Sequence, residues 1–127
     1  MRIIVVDDEA IIAHTLVDIL KGEGYDAVAM TDGVSAVKSA SAVEPDVVIT
    51  DVIMPNLNGI EAAKQILKVC PRCRIIFLSG QTASADLLAK ATAEGYDFQV
   101  LAKPVSPDRL LSIIDPGRYS ALPQSRA

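Results

Sequence analysis

The chain has 127 residues, is 50% hydrophobic and carries a formal net charge of −4. That is the size and apolar content of one globular domain with one core, and no apolar run approaches the roughly 18 residues that a membrane span needs. The acidic balance argues against broad nucleic-acid affinity, which requires a basic face, while an acidic cluster would favour a local cation site.

The elements alternate regularly along the chain. "MRIIVVDDEA" is no signal peptide, since four apolar residues run straight into three acids, so a cytoplasmic location is expected. Arg2–Val6 reads as a fully buried strand. A helix follows over "EAIIAHTLVDILKGEG", with Ile12, Leu16, Ile19 and Leu20 on one face and Gly22 and Gly24 ending it. Asp26–Met30 is a weaker second strand, as an edge strand would be. Asp32 is placed to cap a helix over "GVSAVKSASAV". Asp46–Thr50, introduced by Pro45, is the third strand, and "GIEAAKQILKV" a helix with Ile60, Ala63, Ile66 and Leu67 inward. Arg74–Ser79 is the fourth strand, and "ASADLLAKATAEG" the fourth helix, closed by Gly95. Gln99–Ala102 is the fifth strand. A last short helix, "SPDRLLSIID", has Ser106 at its cap and Pro107 at its first position. Pro116-Gly117 is expected to stop it, leaving residues 116–127 as a poorly ordered tail behind a domain of residues 1–115.

Five strand–helix units in series predict an α/β fold. Strands that are continuous apolar runs belong to a parallel sheet covered on both faces. Right-handed crossovers leave few arrangements, and the expected one is an open, doubly wound five-stranded sheet of order 2-1-3-4-5. Ligands of such sheets sit beyond the C-terminal strand ends, where the strand order reverses. There the first strand runs into Asp7 and Asp8, the third into Asp51, the fourth into Ser79 and Gly80, and the fifth into Lys103 and Pro104. Each has an ordinary structural role open to it: Asp and Ser cap helices, and Lys-Pro makes turns. Four neighbouring strands ending together on three carboxylates, a hydroxyl and an ammonium instead point to a site.

These residues carry a resemblance. "VVDDE", "VITDVIMPNLNGIEAAKQI", "FLSG" and "LAKPV" are similar, in order and spacing, to the receiver domain of two-component response regulators, over about residues 1–115. The resemblance implies the flavodoxin-like (βα)5 fold and a signalling role rather than an enzyme's. It implies that Asp51 accepts a phosphoryl group from a sensor histidine kinase or phosphotransfer protein. It further implies Mg²⁺ held by Asp7, Asp8, Asp51 and the backbone carbonyl of Ile53, a hydroxyl switch at Ser79, and a phosphoryl contact from Lys103. The Lys103–Pro104 bond is expected to be cis, and the output surface to lie at helix four, strand five and helix five. The chemistry of these side chains agrees: Mg²⁺ prefers oxygen ligands, and a lysine is a compact charge suited to a phosphoryl oxygen. Gly59 is expected to let the loop turn tightly before the third helix.

The chain also departs from the family pattern. The aromatic residue usual three positions before the lysine is here Val100, and "GYDFQVLAKP" carries one extra residue. Either Tyr96 or Phe98 takes the aromatic role, or the rotamer switch is absent. Cys70 and Cys73, in "CPRC", have redox-motif spacing but fall between a helix end and a strand rather than at a helix start, so they read as reduced thiols. His14, mid-helix with no partner motif, reads as a surface or boundary residue. Two other functions share parts of this pattern. An aspartyl-phosphate phosphatase would carry DxDx[TV] after the first strand, and "VVDDEA" lacks that spacing. An unphosphorylated receiver-like interaction module would be expected if an acid or the lysine were missing, and none is.

Overall fold

The computed structural model describes residues 1–80 and 84–119. Its elements run β1 (Arg2–Val6), α1 (Ala10–Gly22), β2 (Asp26–Met30), α2 (Gly33–Val43), β3 (Val47–Asp51), α3 (Gly59–Val69), β4 (Arg74–Ser79), α4 (Ser84–Ala93), β5 (Gln99–Ala102), α5 (Pro107–Ile114) and α6 (Pro116–Tyr119). All four strand pairings are parallel, in the order β2-β1-β3-β4-β5. This is the doubly wound topology that the alternation of elements predicts.

Side chains alternate across each strand, and here both faces are buried. Ile3, Val5, Val47, Ile49, Ile76 and Leu78 point to one layer and pack with Val17 and Leu20 of α1 and Leu110, Leu111 and Ile114 of α5. Ile4, Val6, Val48, Ile75 and Phe77 point to the other and meet α2, α3 and α4. A strand covered on both sides has no polar face, which is why β1, β3 and β4 read as unbroken apolar runs. Each fully buried large side chain contributes about 1.5–3 kcal/mol, and truncating Phe77, which is 0% exposed, to alanine would cost about 3–5 kcal/mol.

Three local details differ from the sequence reading. Helix α1 is turned so that Ala13, Val17 and Leu20 are its buried residues, while Ile12, Leu16 and Ile19 are only partly covered. A small residue at the centre lets the helix sit close on the sheet, and the larger ones flank the contact. Strand β3 is shifted by one residue: Asp46 lies outside it, accepting from the Arg2 backbone N–H through its carboxylate at 2.7 Å, and Asp51 is its last member, paired with Leu78. Finally, α5 ends at Ile114, and Pro116 opens a further helical turn. Its missing N–H is no loss at a first helical position. The rest of the tail, residues 120–127, lies outside the described residues.

Candidate functional site

The C-terminal ends of β1, β3, β4 and β5 converge as the topology requires. Asp7 follows β1 and is 2% exposed. Its backbone N–H donates to the Met30 carbonyl at 3.1 Å, and its carboxylate accepts from the Glu9 N–H at 2.9 Å. Asp8 is exposed and Asp51 half-buried. One oxygen from each of Asp7, Asp8 and Asp51 lies within 4.8 Å of the others. From β5, the Lys103 ammonium reaches in, 3.1 Å from an Asp51 oxygen and 3.6 Å from an Asp7 oxygen. The Lys103 backbone N–H donates to the Ser79 carbonyl at 3.0 Å, which seats the lysine beside the end of β4. The Lys103–Pro104 peptide is cis, as expected.

Burial pushes the Asp7 carboxyl above its usual range, and the neighbouring charges of Asp51 and Asp8 push it the same way; the Glu9 N–H and Lys103 oppose this without cancelling it. For Lys103 the balance is reversed. Burial alone would lower its pKa, but the Asp51 and Asp7 carboxylates together hold the proton and raise it. The site is thus crowded with negative charge that one lysine only partly offsets. A set of three carboxylates with no nitrogen or sulfur donor suits a hard divalent cation such as Mg²⁺.

The loop from β3 to α3 is shaped by close approaches. A Cβ on Gly59 would lie 1.9 Å from the Asp51 carbonyl oxygen, and the Gly59 N–H donates to the Val52 carbonyl at 2.8 Å. Gly59 is thus needed because the loop folds back so tightly that α3 begins against the Asp51 backbone. The left-handed residue of this loop is Asn56, at φ 66°, a residue type that tolerates it. Gly33 plays a matching part across the loop, with room for a Cβ only 2.8 Å from the Leu57 carbonyl oxygen. Asn58 caps α3, accepting from the Glu61 N–H at 2.9 Å. The pattern Asn-x-x-Glu would have disclosed this cap, whereas no local signal points to Gly33.

Beside the acids opens a cavity of about 950 Å³, with Asp8, Asp51 and Lys103 at one side and Ile12, Met54 and Val105 among its apolar walls. Ile53 borders it too, and Ile11 stands at its rim, 82% exposed. Ser79, at the end of β4, is half-buried next to it. Val100 is 41% exposed and stands opposite Phe77 on the edge strand β5. The aromatic side chains of this region lie elsewhere. Phe98 meets the buried Phe77 edge-on at 4.9 Å, Tyr96 stacks on Phe98 at 5.2 Å, and the Lys64 ammonium sits 5.4 Å from the centre of the Tyr96 ring. Lys64 also pairs with Glu94 and Glu61. These contacts join α3 to the end of α4 and the start of β5. His14 is exposed on α1, as its lack of a partner motif suggested. Cys70 and Cys73 are free thiols that precede β4 and so lie at the opposite end of the sheet from the acids.

The family profile described as "Response regulator receiver domain" matches residues 3–115. Among curated relatives, the chemotaxis protein CheY of Thermotoga maritima is 34% identical over 115 residues, covering 90% of this chain and 94% of its own. The DNA-binding response regulator MtrA of Mycobacterium tuberculosis is 32% identical over 111 residues, 87% of this chain, which spans about half (47%) of MtrA's length. Among solved structures, a response regulator receiver domain protein from Clostridium thermocellum superposes with a TM-score of 0.80 at 30% identity, covering 91% of both chains. The response regulator domain of Thermotoga maritima CheB does so with a TM-score of 0.73 at 34% identity, covering 90% of this chain and 92% of its own.

Proposed function

This chain belongs to the response regulator receiver family of two-component systems, signalling modules rather than metabolic enzymes, and from that premise we propose that Asp51 is its phospho-acceptor. The observation that carries the reading is the placement of the Asp51 carboxylate: at a strand end, 3.1 Å from Lys103, within 4.8 Å of two further acids, and open to a cavity. In the proposed transfer an Asp51 oxygen attacks phosphorus in line; the new O–P bond forms as the bond from phosphorus to the donor's histidine nitrogen breaks. Lys103 moves from carboxylate to phosphoryl oxygen, and the Ser79 hydroxyl donates to another once the group is in place. Asp7, Asp8 and Asp51, with the Ile53 carbonyl, would hold Mg²⁺, whose charge there would offset the repulsion between the acids and the incoming phosphoryl oxygens. A phosphorylated histidine kinase or phosphotransfer protein is the proposed donor. The proposed output surface is α4, β5 and α5, with an unidentified protein as its partner.

Catalysis in this reading is positioning and charge neutralisation, so a small phosphoryl donor should suffice. Incubation with acetyl phosphate and Mg²⁺, followed by intact-mass analysis, is expected to add one phosphoryl group to the wild type and none to Asp51→Asn. An unchanged wild-type mass would favour the unphosphorylated interaction module, and equal labelling of Asp51→Asn would move the acceptor to another residue.

A further inference from the structure

The pair Cys70–Cys73 is left unused by the phosphoryl site, and its surroundings are unusual for two incidental thiols. Cys70, Pro71, Arg72 and Cys73 form a β-turn closed by a hydrogen bond from the Cys73 N–H to the Cys70 carbonyl at 3.1 Å. Proline at the second position presets the backbone for such a turn. A closed turn brings its end Cα atoms within about 7 Å, the span that a disulfide bridges. Both side chains face the same apolar layer: Cys73 is a buried member of it and Cys70 packs against it half-buried. The Cys70 thiol donates to the Pro45 carbonyl and the Cys73 thiol to the Arg74 carbonyl, each at 3.5 Å. The two cysteines differ in access. Burial, and then the nearby Cys70 sulfur, push the Cys73 thiol up to about 12, so it is the poorer first nucleophile.

We propose that Cys70 and Cys73 form a reversible intrachain disulfide, with the half-buried Cys70 as the entry thiol and the buried Cys73 as the resolving one. The oxidant is a small-molecule disulfide. Cys70 thiolate attacks it, forming a mixed disulfide and releasing one small thiolate. Cys73, its proton passed to solvent, then attacks the Cys70 sulfur and expels the second. Two protein thiols thus give up two electrons and two protons, and one small disulfide becomes two small thiols. The closed turn holds the two Cα atoms within disulfide span, which separates this pair from two surface cysteines that meet only by chance. The bond would tie the end of α3 to the start of β4 and release the Cys70 contact to Pro45.

The test uses the full chain, its Cys70→Ser and Cys73→Ala variants, and mixtures of oxidised and reduced glutathione, quenched by acid and read by intact mass after alkylation in denaturant. Wild type is expected to lose two hydrogens and take no alkyl group as the mixture becomes oxidising. Cys73→Ala is expected to stop with one glutathione attached, and Cys70→Ser to remain unmodified while folded. A wild type that stays fully alkylated, stops as the mixed disulfide or becomes a covalent dimer would overturn the proposal. So would a folded Cys70→Ser protein that takes up glutathione as fast as Cys73→Ala does.

Discussion

Asp7 shows how a single residue decides the electrostatics of the crevice. Its carboxyl is pushed upward chiefly by burial, so the folded protein holds that proton more tightly than the unfolded chain does. Over the window from the ordinary carboxylate value of 3.8 up to the raised folded value, the folded state binds more protons, and stability therefore falls as pH rises. At neutral pH the ionised group is a liability to the metal-free protein. Asp7→Asn keeps an oxygen for the Glu9 N–H and removes the charge. It is expected to raise the metal-free melting temperature at pH 7 and to flatten its pH dependence between pH 4 and 7; a lower melting temperature would mean that Lys103 already compensates the charge in full. Mg²⁺ held in the proposed site would relieve the same crowding and stabilise the fold by mass action, by about 1.4 kcal/mol at ten times its dissociation constant. Thermal melts with and without Mg²⁺ should show that gain in wild type and its loss in Asp8→Ala, whose substituted side chain is exposed.

Among the glycines of the described residues, Gly59 at the junction of β3 and α3 has the tightest surroundings. Helix α3 starts so near the Asp51 carbonyl that a single methyl group on Gly59 has no room. The obstacle is backbone rather than a flexible side chain, so Gly59→Ala should displace the junction and cost about 1–3 kcal/mol or more, the range for overpacking. Denaturant unfolding would measure it, and a loss below about 0.5 kcal/mol would mean that the loop moves aside easily. Asn58→Ala removes only a cap and should cost about 0.5–2 kcal/mol. At the other end of the sheet, the turn that carries the cysteines is far from the acids. A Cys70→Ser/Cys73→Ser protein is therefore expected to accept a phosphoryl group from acetyl phosphate at the wild-type level. Failure to do so while folded would tie that turn to the crevice.

For the whole molecule the open matter is how a change at Asp51 reaches the surface. Val100 is β-branched, stiff at χ1 and already exposed, so it does not swing as an aromatic ring would. The contacts that lead away from the end of β4 run instead from Phe77 to Phe98, Tyr96 and Lys64, on the side of α3 and α4. Gly80, whose added Cβ would press on the Lys103 side chain at 3.3 Å, lets the chain leave β4 close over the lysine. With beryllofluoride as a phosphoryl mimic, NMR shifts are expected to spread over residues 80–98 and the neighbouring side of α3, with Val100 itself little changed. A ligand shifts such an equilibrium only by its differential interaction with the two states. The Ser79 hydroxyl supplies one such interaction in the proposed site, and Ser79→Ala should reduce the bias by about 1.5–3 kcal/mol, the range for a hydrogen bond to a charged group. Phosphorylation should survive in that variant while the shifts shrink; an undiminished response would remove Ser79 from the mechanism.

The alternation of apolar runs with amphipathic stretches, by itself, determined the fold class, the strand order and the end of the sheet where the acids and the lysine gather. It could do so because buried parallel strands and right-handed crossovers leave few other arrangements. That Asp7, Asp51, Ser79 and Lys103 gather at that end was legible for the same reason, each being the residue next to, or last in, a strand, with Asp8 one position further on. Tertiary structure alone decided what depends on contacts between segments distant in sequence. The face that α1 turns inward is set by how closely Ala13 lets it approach the sheet. The need for glycine at 33 and 59 comes from backbone carbonyls of other segments, and the raised Asp7 carboxyl from burial together with two neighbouring charges. The placement of Phe98 against Phe77 is likewise tertiary, a contact across 21 residues that no local pattern encodes.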